Sequence, residues 1–179
     1  MVDLPLVFRV RQRFQDPRIE DIAAEIEQQL AQLRLGDTIK PGQSVAITAG
    51  SRGIANIAII IKSIAEHIRK LGAIPFVVPA MGSHGGGTAE GQREIIESYG
   101  ITEDFVGAEV RSSMETTILA NTPEGIPVHF DSNASQADHV IVCGRIKPHT
   151  RFVGEIQSGL YKMMLIGLGK HKGAALYHQ

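Results

Sequence analysis

One histidine stands within a glycine-rich stretch, GSHGGGTAEG, at residues 82–91. Four of the six residues from Gly82 to Gly87 are glycine, and His84 carries the one titratable side chain among them. Thr88 is typical of a helix N-cap, and the N–H groups at a helix N-terminus bind anions. The stretch is neither a P-loop nor the Gly-x-Gly-x-x-Gly dinucleotide fingerprint. By itself it fits a tight turn with an exposed histidine equally well.

A second histidine, His149, lies in the basic stretch RIKPHTRF. Pro148 restricts its own backbone and that of Lys147, so a stiff loop is expected here. Positive neighbours such as Arg145 and Arg151 lower the pKa of a histidine, and a neutral imidazole at pH 7 can accept a proton. The alternative is a solvated or phosphate-binding basic loop.

Several cations further along the chain differ in what they suggest. Lys162 stands among apolar residues, which predicts a partly desolvated, more nucleophilic amine; a surface lysine on an amphipathic helix is the alternative. Lys170, His171 and Lys172 indicate a solvated basic turn with no catalytic role. Arg52 follows a strand pattern, where it could hold an anion or be an ordinary loop arginine.

The elements that must position these residues alternate between strand and helix patterns. Apolar runs predict strands at 43–50, 73–82 and 137–144, and helical spacing predicts helices at 54–71 and 89–99. A further helix is predicted from Asp16-Pro17 to Gly36, and a hairpin at 116–130. This order predicts an α/β fold: a Rossmann-like, doubly wound, mostly parallel sheet with flanking helices and a β-hairpin.

Polar segments follow three of the predicted strands, namely AGSRG, MGSHGGGT and CGRIKPHT. In doubly wound sheets, ligands bind beyond the carboxyl ends of parallel strands. Arg52, His84 and His149 are therefore expected above one edge of the sheet. Antiparallel strands would separate them.

Composition narrows the class of protein. The chain has 179 residues and a formal net charge of −1, which argues against a dedicated nucleic-acid binder. Cys143 is the single cysteine, which excludes an intramolecular disulfide and suits a reducing cytosol. The N-terminus lacks the apolar core of a signal peptide, and Lys62 and Glu66 interrupt the most apolar stretch. We expect a cytoplasmic protein that binds neither nucleic acid nor membrane.

Taken together, the motifs resemble the N-terminal domain of the nickel-dependent lactate racemase family. The resemblance runs from about residue 44 to the end of the chain and includes TAEGQREIIESYGI after the glycine loop. Lys162 and His178 lie sixteen positions apart, a spacing that is similar to that family's. The motifs in chain order are Ser51-Arg52, Gly82-Ser83-His84, Pro148-His149, Lys162 and His178.

The resemblance implies roles for individual residues. Two histidines would act as an acid/base pair, a lysine would hold the cofactor through a thioamide, and a third histidine would ligate nickel. The cofactor would be a nickel-pincer nucleotide, the nickel pyridinium-bisthiocarboxylic acid mononucleotide. These roles fall on His84 and His149, on Lys162 and on His178, with Gly50, Ser51 and Arg52 in the cofactor-binding stretch.

The activity implied by the resemblance is racemisation or epimerisation of a small 2-hydroxy acid by proton-coupled hydride transfer to the cofactor. The expected partners are that substrate and the enzymes of cofactor synthesis. Residues 1–179 would form the N-terminal cofactor-binding and catalytic domain, with the C-terminal domain absent from this chain.

Two other functions remain open from the residues alone. The glycine loop with Arg52, Lys147 and Arg151 would suffice for a non-catalytic nucleotide- or phosphate-binding module. A metal-dependent hydrolase using His84, His149 and His178 is less favoured, because the chain has no His-Glu-x-x-His motif.

Overall fold

A computed structural model describes residues 7–15, 17–146 and 158–177. His149 and His178 therefore lie outside the described residues. The helices are α1 (Ile22–Gln32), α2 (Ile57–Lys70), α3 (Ala89–Ser98), α4 (Glu103–Val106), α5 (Ser132–Ser135), α6 (Leu160–Lys162) and α7 (Lys170–Tyr177). The strands are β1 (Ser44–Ala49), β2 (Ile74–Pro79), β3 (Glu109–Val110), β4 (Thr116–Asn121), β5 (Pro127–Asp131) and β6 (His139–Ile141).

The strands form two sheets. Four of them pair in the order β3-β2-β1-β6, and all three pairings are parallel. The other two, β4 and β5, form a separate antiparallel hairpin. The predicted α/β class, its parallel sheet with flanking helices and its β-hairpin are confirmed.

Successive side chains of β1 point to opposite faces of the parallel sheet, and both faces are buried. Val45 and Ile47 belong to one apolar core, whereas Ala46 points into a second one on the opposite face. Helix α2 covers the first face with isoleucines at helical spacing, and Ile61 and Ile68 are fully buried there. A parallel sheet covered on both faces is the usual arrangement of α/β proteins.

The second face is covered by the hairpin and by the segment after residue 158. Phe130 of β5, Met163 and Leu168 pack with Phe76 and Val78 of β2 in that core. The hairpin is thereby fixed to the parallel sheet, and the segment that carries Lys162 runs across the sheet edge.

Two details differ from the sequence-based expectation. Helix α1 begins at Ile22, because the Asp21 side chain accepts a hydrogen bond from the Ala24 N–H at 2.9 Å and caps it there. Asp16, the expected cap, lies outside the described residues. The short edge strand β3 was not expected, since two residues are too few to show an alternating pattern.

Candidate active site

A cleft of about 480 Å³ opens at the carboxyl ends of β1, β2 and β6. Each of these strands contributes the polar segment that follows it, and the segment around α6 closes the fourth side. The cleft therefore lies where parallel α/β sheets bind their ligands. Its lining includes Gly50, Ser51, Arg52, Ser83, His84, Gly144, Arg145 and Lys162.

The parallel pairing brings together most of the residues singled out in the sequence. Arg52 and His84 line the same cleft, as expected from strands that end at one edge. Gly50, Ser51 and Lys162 line it as well. Of the seven predicted site residues, these five are in one place, and His149 and His178 fall outside the described part of the chain.

The third polar segment reaches the cleft although β6 is only three residues long. Beyond its end, the Thr48 hydroxyl accepts a hydrogen bond from the Cys143 N–H at 2.9 Å and donates one to the Cys143 carbonyl at 3.1 Å. This side chain replaces ladder hydrogen bonds and holds Gly144 and Arg145 at the sheet edge.

His84 is held through its ring and through its backbone. The Nδ1 atom is in close hydrogen-bond contact with the Ser51 hydroxyl. The hydroxyl of Tyr99 donates a hydrogen bond to the Ser51 carbonyl at 2.7 Å, which fixes the serine in turn. When the Nδ1–H donates to the Ser51 oxygen, the lone pair of a neutral ring lies on Nε2, which is then the nitrogen that can accept a proton from a ligand.

The surroundings of His84 favour its neutral form. Partial desolvation of the ring lowers its pKa below the ordinary value, and the positive charges of Arg52 and Lys162 lower it further. The side chain as a whole remains exposed to the cleft. These surroundings favour the unprotonated imidazole, which is the form that can accept a proton.

Two glycines of the loop are required by the backbone conformation and by close backbone contacts, in addition to any space they leave for a ligand. Gly82 has a φ of +62°, and a Cβ there would lie 3.1 Å from the Ile166 carbonyl oxygen. Gly85 has a φ of +66°, and a Cβ there would lie 2.6 Å from the carbonyl carbon of Gly91. The loop thus packs directly on the first turn of α3 in a left-handed conformation that other residues rarely adopt.

Lys162 reaches the cleft because its neighbour is anchored. The Met163 side chain packs against both Gly50 and Gly144, and a Cβ on Gly144 would approach its Cγ to 2.9 Å. This packing fixes the end of α6 against the strand ends. Of the two alternatives considered for Lys162, its exposure agrees with the surface lysine rather than with a partly desolvated amine.

Charge distinguishes this cleft from an ordinary surface depression. Arg52, Arg145 and Lys162 line it, and its described lining residues include no aspartate or glutamate. Such a lining favours an anionic ligand, because the charges reinforce one another in a concave site. The bare strand-end glycines leave room for that ligand against the backbone.

Sequence reasoning missed a buried cation below the cleft. Lys170 was predicted to be solvated, but it is fully buried and forms an ion pair of 2.9 Å with Asp131, which is also fully buried. Only His171 and Lys172 are exposed as expected. One signal was present: Gly167 and Gly169 directly precede this lysine, and closely spaced glycines indicate tight packing.

Among the described residues, no group of three or more histidine, cysteine, aspartate or glutamate side chains is arranged to hold a metal ion. Two of the three histidines invoked for a metal site lie outside that part of the chain. Cys143 is half-buried against the core, and burial raises the pKa of its thiol, in agreement with a packing role. In the described ranges, every helix is too short or too polar to cross a bilayer.

The fold and the cleft define an α/β protein with a cationic cleft at the carboxyl ends of its parallel strands, lined by His84. Comparison with known protein families identifies the family to which this α/β chain belongs. The family model described as "Lactate racemase N-terminal domain" matches residues 7–179. The chain belongs to this family, which is of isomerase type, and the predicted resemblance is confirmed.

Comparison with curated proteins gives a different match. Small ribosomal subunit protein uS15 of Mycobacterium bovis is 28% identical over 83 residues, 46% of this chain and 93% of that protein. The same protein of Mycobacterium tuberculosis gives equal values. This similarity is confined to less than half of the chain, whereas the family model spans nearly all of it.

Proposed function

We propose that the chain carries the acid/base and cofactor-binding machinery of a racemase or epimerase acting on a 2-hydroxy acid. The observation that supports this most is the cationic cleft in which neutral His84 stands beside Arg52 and Lys162. A 2-hydroxy acid presents a carboxylate for the cations and a hydroxyl proton for the histidine. Membership of the lactate racemase family agrees with this chemistry.

The described residues fit a nickel-pincer nucleotide as the cofactor. The lining without described carboxylates suits a phosphate group, and the exposed Lys162 amine is accessible for bond formation. Lys162 would hold the cofactor covalently, Gly50, Ser51 and Arg52 would contact it, and His178 would ligate nickel through its imidazole. When bound, the cofactor supplies the hydride acceptor that amino-acid side chains lack.

His84 would take the hydroxyl proton of the substrate at Nε2, while Ser51 holds the ring through Nδ1. Arg52 would orient the substrate carboxylate. Inversion needs proton transfer on both faces of the carbon, so a second base is required. We assign that role to His149 on the family motif.

A mass measurement tests the cofactor assignment. The gene that encodes this chain is expressed with the cofactor-synthesis enzymes and nickel, and intact mass and peptide mapping follow. We expect a cofactor-sized adduct on Lys162 that Lys162→Ala abolishes. Lys172→Ala, which removes another exposed lysine, is the control and should keep the adduct. An adduct that survives Lys162→Ala would contradict the assignment.

Chiral chromatography tests the acid/base assignment on a panel of 2-hydroxy acids. His84→Gln should abolish interconversion of the enantiomers while the adduct on Lys162 remains. His139→Gln is the control, because that ring contacts Gln43 at 2.9 Å and does not line the cleft. Normal turnover of the His84 variant would remove the residue from the mechanism.

The cationic lining also favours a second function, a non-catalytic nucleotide- or phosphate-binding module. This function predicts that nucleotides raise the melting temperature of the chain and that His84→Gln leaves the effect unchanged. It would gain support if loaded enzyme failed to interconvert any 2-hydroxy acid. The metal-dependent hydrolase stays a less favoured alternative, whereas a cytoplasmic location and an interaction with the cofactor-synthesis enzymes stay predictions.

A further inference from the structure

Three fully buried polar side chains meet beneath the glycine loop: Gln92 of α3, Asp131 at the end of β5, and Lys170 at the start of α7. They come from parts of the chain that are remote in sequence, and we call them the buried cluster. None of the three lines the cleft. Their burial excludes direct contact with a ligand, so any influence on chemistry must pass through other residues.

Lys170 makes two hydrogen bonds and one ion pair within the buried cluster. Its Nζ donates to the Pro79 carbonyl at 2.5 Å and to Gln92 Oε1 at 3.3 Å, and it pairs with Asp131 Oδ2 at 2.9 Å. Two of the three ammonium donors are thus hydrogen-bonded, whereas the buried Asp131 Oδ2 has no hydrogen-bond partner among the described residues and is held by its charge. Burial lowers the pKa of Lys170 and the charge of Asp131 raises it, so the carboxylate is what favours the ammonium form.

Gln92 transmits this arrangement to the loop. Its Nε2 donates to the Gly82 carbonyl at 2.8 Å and to the His84 carbonyl at 3.2 Å. A lysine can only donate, so Lys170 requires the carbonyl end of the amide to face it and directs the NH₂ end at the loop. One glutamine thus joins a buried cation to the backbone on both sides of Ser83.

The loop needs such a restraint. Gly85, Gly86 and Gly87 all have a φ of +66°, and glycine loses more conformational freedom on ordering than other residues. His84 precedes this run directly and has no bulky neighbour on its C-terminal side to fix it. Its carbonyl is held by Gln92 and by the Gly87 N–H, the latter at 3.3 Å.

We infer that Gln92 and Lys170 are positioning residues that hold the backbone of His84 so that its Nδ1 stays on Ser51. Asp131 serves by favouring the ammonium form of the lysine, which donates and cannot accept. The inference rests on the proposed function only for the claim that His84 takes part in catalysis. The restraint itself is a property of the chain and is measurable without cofactor or substrate.

The test uses Gln92→Met, which conserves volume and removes the donor to the loop while adding no charge. Selectively labelled histidine is observed by nitrogen NMR, which reports the tautomer of the His84 ring. We expect one dominant tautomer in the native chain and averaging between the two in Gln92→Met. Ile96→Val is the control, because Ile96 is also fully buried on α3, four residues further on, and should leave the signal unchanged.

A second variant covers the case in which Gln92→Met fails to fold, as checked by circular dichroism. Gln92→Glu still accepts from Lys170 but cannot donate to the loop when ionised, and it should give the same averaging. In the loaded enzyme, Gln92→Met should lower kcat by roughly 10- to 100-fold with KM little changed, since misplacing a reacting group acts on the chemical step.

The outcomes separate the two hypotheses. An unchanged His84 tautomer in both Gln92 variants would overturn the positioning role, whatever the activity. A changed tautomer with no racemisation in the native enzyme would support the positioning role and contradict the proposed function. A changed tautomer with an unchanged kcat would show that the restraint exists and that positioning of His84 is not what limits turnover, which overturns its catalytic significance.

Discussion

Removing one partner of the buried ion pair should destabilise the fold more than removing both charges. Lys170→Met leaves the Asp131 carboxylate fully buried without its counter-ion, since both side chains have 0% exposure. Breaking such a pair from one side costs about 3–5 kcal/mol. For a domain of this size that corresponds to a fall of roughly 6–20 °C in melting temperature.

The double variant Lys170→Met/Asp131→Asn removes the charge as well. The side-chain oxygen of the introduced asparagine can still accept the Ala134 N–H, which lies 2.8 Å from Asp131 Oδ1 in the native chain, so the N-cap of α5 is retained. What remains is the loss of hydrogen bonds to the Pro79 carbonyl and to Gln92, about 1–3 kcal/mol. We therefore expect the double variant to be about 2 kcal/mol more stable than Lys170→Met.

Urea unfolding of the native chain, the two single variants and the double variant gives the full cycle. The denaturant slopes must agree for the free energies of unfolding to be compared. Single-variant losses that add to the double-variant loss within about 0.5 kcal/mol would refute the reasoning, because independent sites behave in that way. Such a result would mean that the two groups are neutral or hydrated in the folded chain.

Three further predictions concern the cleft and its loop. Arg52→Met should raise the pKa of His84 in an NMR titration, because it removes one of the positive charges that lower this pKa. In the native chain the pKa of His84 lies below that of an unfolded histidine, about 6.5, so the free energy of unfolding decreases as the pH falls from about 6.5 toward the lowered pKa. The variant should lose less stability over this pH range. Gly85→Ala should cost about 2 kcal/mol more than Gly86→Ala in urea unfolding, because both have positive φ but only Gly85 contacts α3. The Cys143 thiol should react with a disulfide reagent more slowly than free cysteine, because burial raises its pKa; an equal rate would contradict this.

The parallel sheet and the meeting of Arg52 with His84 were predictable, because both follow from local patterns. Apolar runs alternating with helical spacing specify βαβ units, and the handedness of their connections leaves few arrangements. In a parallel sheet the carboxyl ends of all strands lie at the same edge, however the side chains pack. The family motifs added Lys162 to the same place, and the cleft contains it.

The buried cluster was not predictable from local patterns. Lys170 stands between a glycine and a histidine in GKHKG, a stretch whose composition indicates solvent. Its burial depends on Asp131, 39 residues earlier in the chain, and on a glutamine of α3. A charged side chain is buried only when distant partners satisfy it, and a single sequence does not show which residues become neighbours.

The hairpin of β4 and β5 is tied to α7 by an ion pair at one end of that helix and by a tyrosine at the other. If the hairpin opened, Asp131 would leave Lys170, and the Tyr177 hydroxyl would lose the His129 N–H and the Pro127 carbonyl, each at 2.8 Å. Opening of the hairpin would therefore break the ion pair and both tyrosine hydrogen bonds of α7 simultaneously. Local unfolding proceeds in cooperative units, so the hairpin and α7 should exchange their amide hydrogens together, as one unit with a common opening free energy.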